Sequence, residues 1–332
     1  MTAALLQFVG AAVVIIFAGT FLTRAADKIA EQTGWGRLLV GSLFLAGATS
    51  LPELSVDVNA IRQGMPNLAV GDLAGSSLFN LLILAVLDLS HRSRRRMFSH
   101  PAAAHALSAT MTSTLYVLAA IAIVFGRQLE PLHLGGLGIG TAAILFAYLL
   151  GIRLVFYDQQ VAFVAEQKKE PPRRDRATLG KAALVYLSAA AAILIAAPFL
   201  SASAGRIADL SGLGNTFFGT TAVALCTSLP EMVTSYAAVR MGAFDLALGN
   251  IFGSNSFNML LLVPLDLVQP GPLLSLISLV HAFTCLATVL ITAIAVMGQL
   301  YHVEQRRFVI EPDAALIILL VLGALTIIYW LR

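Results

Sequence analysis

The sequence predicts an all-α integral membrane protein, and three observations support this fold class. Of the 332 residues, 58% are hydrophobic and only 12% are charged, whereas soluble globular proteins carry about 25% charged residues. The mean hydropathy is +0.85, and the apolar residues fall in runs of about 20, the length that spans a bilayer. Two parts of the chain are also copies of each other. This composition excludes a disordered or collagen-like chain and a nucleic-acid-binding domain, and it argues against a soluble enzyme.

Ten segments have the length and composition of membrane-spanning helices. They cover residues 3–23, 37–62, 67–89, 102–126, 132–152, 180–200, 216–239, 245–267, 272–298 and 313–331. The first is too long for a signal peptide, so we interpret it as a helix that is kept. Cytoplasmic loops carry an excess of Lys and Arg, and placing both termini outside puts 17 of the 21 basic residues on the cytoplasmic side. The sequence therefore predicts ten helices with the N-terminus and the C-terminus outside.

The longest polar stretch covers residues 154–179 and is rich in basic residues. We interpret it as a cytoplasmic loop between two five-helix halves, residues 1–153 and 180–332. Its charges, and those of residues 92–96, are typical of topology anchors. The alternative is that they bind lipid headgroups or a regulator.

The two halves contain an internal repeat. Residues 41–89 align with residues 219–267 without a gap, and 22 of the 49 aligned positions are identical. The shared blocks are TSLPE, at 49–53 and 227–231, and GSxxFN, at 75–80 and 253–258. Because the copies begin five spans apart, they should cross the membrane in opposite directions. Inverted repeats of this kind are a signature of secondary transporters, whose substrate sites lie near the bilayer midplane.

Each copy places a glutamate, Glu53 or Glu231, directly after a proline in an apolar segment. A carboxylate at bilayer depth costs at least ~2.5 kcal/mol, so it usually faces an internal cavity. The proline should break the helix at this point in both copies and expose nearby carbonyl oxygens, such as those of Ala46 and Ala224. The alternative is a structural kink whose glutamate bonds a neighbouring helix.

Four hydroxyl residues in the same turns add further oxygen atoms: Thr49, Ser50, Thr227 and Ser228. Clusters of oxygen atoms suit hard cations such as Ca²⁺, which takes 6–8 oxygen ligands. The motifs contain no His or Cys, which argues against zinc, copper or iron. Two carboxylates match the charge of one divalent or two monovalent ions, as an antiporter requires.

The second block places four polar residues one helical turn apart: Ser76, Asn80, Ser254 and Asn258. Residues at i and i+4 lie on one helix face, so each pair can present oxygen atoms to the same point. The alternative is that these side chains hold helices together by hydrogen bonds. Gly75 and Gly253 are expected to allow close helix approach.

These paired blocks resemble the α-repeats of the cation/calcium exchanger superfamily, specifically prokaryotic-type sodium/calcium exchangers. The resemblance implies that twelve residues line adjacent cation sites through side-chain or carbonyl oxygens: Glu53, Thr49, Ser50, Ser76, Asn80, Ala46, Glu231, Thr227, Ser228, Ser254, Asn258 and Ala224. Potassium-dependent members and some prokaryotic exchangers carry Asp at the position of Asn258, and Asn there resembles potassium-independent exchangers, so exchange without K⁺ is expected. Asp72 departs from the family pattern, since many members have Asn there, as at Asn250 of the other repeat. Asp57, Asp72 and Asn250 are further candidate ligands, and the two aspartates are expected to be outer ligands or vestibule charges.

The sequence therefore predicts a multi-pass antiporter of the cell membrane that exchanges Ca²⁺ for Na⁺ by alternating access. If Na⁺ fills more sites than Ca²⁺ does, the exchange moves net charge. No G-x-x-x-x-G-K-[ST] motif occurs, so neither ATP, nor a cofactor, nor enzymatic chemistry is expected. The expected partners are the two ions and the lipid bilayer, with no nucleic acid and no protein partner. The alternatives are a proton-coupled exchanger, an exchanger of Mg²⁺ or another divalent cation, and a cation channel.

Overall fold

The computed structural model describes residues 1–90, 102–167, 175–210, 225–300 and 312–331. The helices are α1 (Thr2–Thr33), α2 (Arg37–Arg62), α3 (Pro66–Ser90), α4 (Ala102–Val124), α5 (Gly126–Leu129), α6 (Ile139–Gln167), α7 (Arg176–Leu210), α8 (Leu229–Arg240), α9 (Phe244–Val268), α10 (Leu273–Leu276), α11 (Val280–Leu300) and α12 (Pro312–Leu331). A short hairpin of β1 (His133–Leu134) and β2 (Leu137–Gly138) precedes α6. The predicted all-α fold class is confirmed.

Nine helices in these described ranges are long and apolar enough to cross a membrane. The predicted span 216–239 is represented by α8, because its first residues lie outside the described ranges. Large apolar side chains cover the outer faces of several helices, as at Phe17 and Trp330, which are 64% and 79% exposed. Such surfaces are what a lipid environment requires. The number of ten spans and the placement of the termini stay predictions.

Several helix ends differ from the predicted ones. Helix α1 continues ten residues beyond 23, to Thr33, and is capped by Gly34, whose left-handed backbone (φ 74°) lets its N–H bond the carbonyl of Ala30. Helix α6 begins at Ile139, and not at 132, because the hairpin occupies the preceding residues. It then extends to Gln167, so the first part of the polar stretch 154–179 is helical. Hydrophobicity alone marks the lipid-spanning part of a helix and misses its polar extensions.

Asp266, at the end of α9, holds the hairpin and the start of α10. Its side chain is 3% exposed and accepts hydrogen bonds from the N–H groups of Gly138 (2.8 Å) and Leu273 (2.6 Å). The hairpin turns through Gly135 and Gly136, whose positive φ angles of 60° and 85° suit a tight two-residue turn. This arrangement explains why the predicted span 272–298 begins with a short separate helix.

The chain forms two compact units, and each combines segments from both predicted halves. Unit 1 comprises residues 1–55 and 158–251, and unit 2 comprises residues 56–157 and 252–332. Within each unit, helices of one predicted half pack against helices of the other. The division of the sequence at 154–179 stays a prediction.

In unit 1, α1 packs against α7 and α8. The packed core includes Ile15 and Leu200, both fully buried. A Cβ atom on Gly19 would lie only 2.9 Å from a methyl carbon of Val233, so a glycine is needed where α1 passes α8.

In unit 2, α11 packs against α3, α4 and α12. Helix α9 is tied to α4 by Thr112, whose hydroxyl group donates to the carbonyl of Phe252 (3.0 Å) and pairs with the hydroxyl of Ser256 (2.8 Å). All of these groups are buried. The hydrogen bonds fix the register between the two helices.

Candidate cation-binding site

The first TSLPE motif lies inside a continuous helix. Helix α2 runs through Pro52 to Arg62, so the break predicted at this proline is wrong for the first repeat. The irregularity is instead a π-helical turn at Val40–Leu45, where the N–H of Ala46 bonds the carbonyl of Gly41 five residues earlier. Such widened turns are frequent at functional sites because they re-aim the following residues.

The second TSLPE motif contains the predicted break. Ser228 is the N-cap residue of α8, Pro230 lies in the first turn, and Glu231 follows it. Proline fits there because the first helical N–H groups have no partner within the helix. The positive end of the helix dipole also favours a carboxylate in this turn.

The two motifs meet within unit 1. The hydroxyl group of Ser50, from the first repeat, donates to Oε1 of Glu231, from the second, at 3.4 Å. The hydroxyl group of Thr49 donates to the carbonyl oxygen of Ala46 at 3.2 Å. Six predicted ligands of these motifs, and Ala46, are at most 1% exposed: Thr49, Ser50, Glu53, Thr227, Ser228 and Glu231. Ala224 lies outside the described residues.

The motifs are brought together by a close crossing of α2 and α9 in unit 1. A Cβ atom on Gly41 would lie 2.6 Å from the carbonyl oxygen of Leu246, and one on Gly249 would lie 2.5 Å from that of Leu38. The two backbones therefore touch at glycines, as small residues permit in membrane proteins. The close approach predicted at Gly75 is wrong: a Cβ atom there would meet nothing within 4 Å in the described part of the chain.

Asn250, beside this crossing, acts through its amide nitrogen. Nδ2 donates to the hydroxyl groups of Ser235 (2.9 Å) and Thr234 (3.0 Å) and approaches the carbonyl oxygen of Glu231 (3.5 Å). Asn250 thus holds the first turns of α8 to α9. Its Oδ1 has no hydrogen-bond partner among the described residues.

The GSxxFN residues form a second cluster, within unit 2. Asn80 donates through Nδ2 to Oδ1 of Asn255 at 2.9 Å. Asn258 donates through Nδ2 to the carbonyl oxygen of Leu73 (3.2 Å) and to the hydroxyl of Ser77 (3.1 Å). Asn80 and Asn258 therefore each form hydrogen bonds between α3 and α9.

Three oxygen atoms of this second cluster have no hydrogen-bond partner among the described residues: Oγ of Ser76, Oδ1 of Asn80 and Oδ1 of Asn258. Their residues are each 1% exposed, and Ser254 is fully buried. Buried oxygen atoms without hydrogen bonds are costly unless they bind something. Oxygen atoms of this kind are the ligands that a hard cation requires.

Sequence reasoning missed Ser77, Asn255 and Tyr116. Ser77 and Asn255 occupy equivalent positions of the two repeats, directly after Ser76 and Ser254. Their shared polarity within apolar segments was the available signal. Tyr116, on α4, donates its hydroxyl hydrogen to the hydroxyl oxygen of Ser77, and nothing in its own sequence context marks it.

Asp57 and Asp72 lie in unit 2, on the outer halves of α2 and α3 in the predicted topology. Asp57 is 1% exposed, and neither of its carboxylate oxygens has a hydrogen-bond partner in the described ranges. The charge of Asp72 acts on it electrostatically. At the equivalent positions of the second repeat, Ser235 and Asn250 form a neutral hydrogen bond. The first repeat therefore carries two acidic residues where the second carries two neutral ones.

In the part of the chain that the structure describes, residues suited to transition metals are not gathered together. The described ranges contain no group of three or more His, Cys, Asp and Glu residues that could hold a metal ion. The two glutamates are instead accompanied by hydroxyl and carbonyl oxygens. Such a set suits a hard cation that enters and leaves.

Comparison with known proteins agrees with this chemistry. The family model described as "Sodium/calcium exchanger protein" matches residues 3–157 and 181–331. The chain is 28% identical over 290 residues to the inner membrane protein YrbG of Escherichia coli (strain K12), covering 82% of this chain and 85% of that protein. It is 25% identical over 281 residues to the sodium/calcium exchanger MaX1 of Methanosarcina acetivorans, covering 76% and 79%.

The fold also matches solved structures. The sodium-calcium exchanger NCX_Mj, soaked with Na⁺ and Sr²⁺, superposes with a TM-score of 0.72 over 98% of both chains at 18% identity. A likeness at this identity concerns the fold. It supports the predicted all-helical membrane architecture.

Proposed function

The chain belongs to the sodium/calcium exchanger protein family, and from this premise we propose that it exchanges Ca²⁺ for Na⁺ across the cell membrane by alternating access. The observation that carries the proposal is the hydrogen bond between Ser50 and Glu231. It joins the two TSLPE motifs in one buried cluster of oxygen atoms, as a substrate site shared by inverted repeats requires.

The charge of this cluster suits the exchange. Glu53 and Glu231 supply about two negative charges when both are ionised, which one Ca²⁺ or two Na⁺ neutralise. Both side chains are 1% exposed, and unneutralised charges are costly in such surroundings. The carrier without ions should therefore reorient slowly, which couples the movement of the two ions.

The neutral oxygen atoms of unit 2 are proposed as further cation ligands. They are contributed by Ser76, Asn80, Ser254 and Asn258, and they add sites without adding charge. If Na⁺ uses these sites as well, more than two Na⁺ exchange for one Ca²⁺ and transport is electrogenic. The amide of Asn258 in place of a carboxylate leaves no charge to neutralise with K⁺, so we propose that transport is independent of K⁺.

Purified protein in lipid vesicles tests the proposal. Vesicles loaded with Na⁺ should accumulate ⁴⁵Ca²⁺ against its gradient after dilution into medium free of Na⁺, with or without K⁺. Uptake driven only by a proton gradient, or competition by Mg²⁺ as strong as by Ca²⁺, would support the alternative exchangers. Calcium that only runs down its own gradient would indicate a channel and overturn the proposal.

A further inference from the structure

We propose that Asn255 and Ser77 are positioning residues that turn the amide oxygens of Asn80 and Asn258 toward the transported cation. This inference rests on the proposed function, since it assigns the residues that orient two of the proposed ligands. A side-chain amide carries an oxygen atom that attracts a cation and an NH₂ group that repels it. The orientation of each buried amide therefore decides whether it is a ligand.

Two backbone carbonyl groups fix these orientations, because a carbonyl oxygen can only accept hydrogen bonds. The carbonyl of Ser77 lies 3.3 Å from the amide of Asn255, so the nitrogen of Asn255 must face it. Oδ1 of Asn255 then faces Asn80, which can donate only through its own nitrogen, at 2.9 Å. Oδ1 of Asn80 is left facing away, without a hydrogen-bond partner in the described ranges.

The same reasoning applies to Asn258. Its nitrogen must face the carbonyl of Leu73 (3.2 Å), and its second N–H bonds the hydroxyl of Ser77 (3.1 Å). That hydroxyl group donates its own hydrogen to the carbonyl of Leu73 (2.9 Å) and accepts from Tyr116. A hydroxyl offers one donor and two acceptor positions, so every position of the Ser77 hydroxyl is used.

The network contains no exposed member. Ser77, Asn255 and Tyr116 are fully buried, and Asn80 and Asn258 are each 1% exposed. A flipped amide would place two N–H groups where the oxygen now lies, and the hydrogen bonds that its nitrogen donates would be lost. The repeats achieve the orientation with different residues, Ser77 in the first and Asn255 in the second.

Replacement of Asn255 by the residue of the other repeat tests the inference. Asn255→Ser is too short to bridge Asn80 and the carbonyl of Ser77, so Asn80 loses its orienting partner. We expect the Ca²⁺ concentration for half-maximal uptake to rise about tenfold, the usual effect of losing a residue that orients a metal ligand. The maximal rate should change little.

A double-variant comparison separates positioning from general damage. In an Asn80→Asp background the carboxylate has two equivalent oxygens and needs no orientation, so adding Asn255→Ser should change the half-maximal concentration less than about twofold. An equal tenfold loss in both backgrounds would mean that Asn255 acts only on packing and would overturn the inference. Unchanged affinity in Asn255→Ser would also overturn it.

Calcium titration by calorimetry keeps the two proposals apart. If Asn80→Ala weakens Ca²⁺ binding while Asn255→Ser does not, the positioning role fails and the proposed function stands. If Asn80→Ala leaves Ca²⁺ binding and Na⁺-driven uptake unchanged, Asn80 is not a ligand and the proposed ligand set fails as well.

Discussion

Glu53 and Glu231 are the buried carboxylates of the proposed Ca²⁺ site, and each supplies half of its counter-charge. Replacing either by Gln leaves one negative charge for a divalent ion, with nearly the same side-chain volume. We expect Glu53→Gln and Glu231→Gln to lower Na⁺-driven ⁴⁵Ca²⁺ uptake at least about 100-fold, because a buried cation loses one of its counter-charges, while the helical circular dichroism is kept. Glu130→Gln, which neutralises an exposed glutamate, is the matched control. Normal uptake by either variant would remove that glutamate from the ligand set.

Asp57 and Asp72 distinguish the first repeat from the second. The double variant Asp57→Ser, Asp72→Asn gives the first repeat the residues that the second has at Ser235 and Asn250. Because clustered charge concentrates cations, we expect the half-maximal Ca²⁺ concentration on the outer side to rise about tenfold at low salt and less at high salt. The inner side should not change. If the half-maximal Ca²⁺ concentration rose equally on both sides, measured in vesicles of defined orientation, a role confined to the outer side would be contradicted.

The crossing of α2 and α9 depends on two glycines whose added methyl groups would meet backbone atoms. Gly41→Ala and Gly249→Ala force the helices apart, since a carbonyl oxygen cannot move aside as a side chain can. We expect each to destabilise the protein by about 1–3 kcal/mol, as overpacked cores do, and to lower the melting temperature in detergent. Gly323→Ala is the control, because a Cβ atom there meets nothing within 4 Å in the described chain. Unchanged melting of both crossing variants would show that the helices can separate at no cost.

Asp175 caps α7 just before its membrane-spanning part. One carboxylate oxygen accepts from the hydroxyl of Thr178 and the other from the N–H of Ala177. These hydrogen bonds lower the pKa of Asp175 below its ordinary value, and the bond from the Thr178 hydroxyl has the largest effect. Because the pKa of Asp175 is lower in the folded state, the cap stabilises the helix fully at pH values above the ordinary pKa. This stabilisation is lost as the pH falls through the folded-state pKa.

Hydrogen exchange at the start of α7 tests this cap. At neutral pH, exchange of the Ala177 and Thr178 amides should be faster in Asp175→Ala than in the natural chain. The difference should shrink in acid, where the natural carboxyl is also protonated. Asp175→Asn keeps an acceptor oxygen that does not titrate. In this variant, acid should therefore not cause the loss of the cap that speeds exchange of the Ala177 and Thr178 amides in the natural chain. A difference that persists unchanged into acid would contradict the role of the charge.

Net charge movement is a property of the complete transport cycle. If Na⁺ occupies the neutral oxygen sites in addition to the glutamates, more positive charge crosses with Na⁺ than with Ca²⁺. One net charge is worth about 2.3 kcal/mol per 100 mV. We therefore expect an inside-negative potential to speed Na⁺-driven Ca²⁺ extrusion in vesicles clamped with K⁺ and valinomycin. A flux indifferent to the potential would indicate two Na⁺ per Ca²⁺.

Much of the fold, and the burial of the candidate site residues, could be predicted from the sequence. The buried position of Glu53 and Glu231 followed from a carboxylate in an apolar run, and the inverted repeat indicated that Ser50 and Glu231 could meet. The π-helical turn before Ala46 could not be predicted, because no proline marks it and its residues at Val40–Leu45 are as apolar as those of a regular helix. Tyr116 could not be found either, since its partner Ser77 is distant in sequence.

The composition of unit 1 has a consequence for biosynthesis. Residues 1–55 complete this unit only with residues 158–251. The intervening residues 56–157 must therefore leave the ribosome before any segment that packs against residues 1–55 is made. At about 5–20 residues per second, this delay lasts about 5–20 s. During that time Glu53 sits in a newly inserted helix without Glu231 and Ser228, whose segment is not yet made. The nascent chain must therefore pass through a stage in which a carboxylate in an apolar segment lacks the second motif of its native cluster.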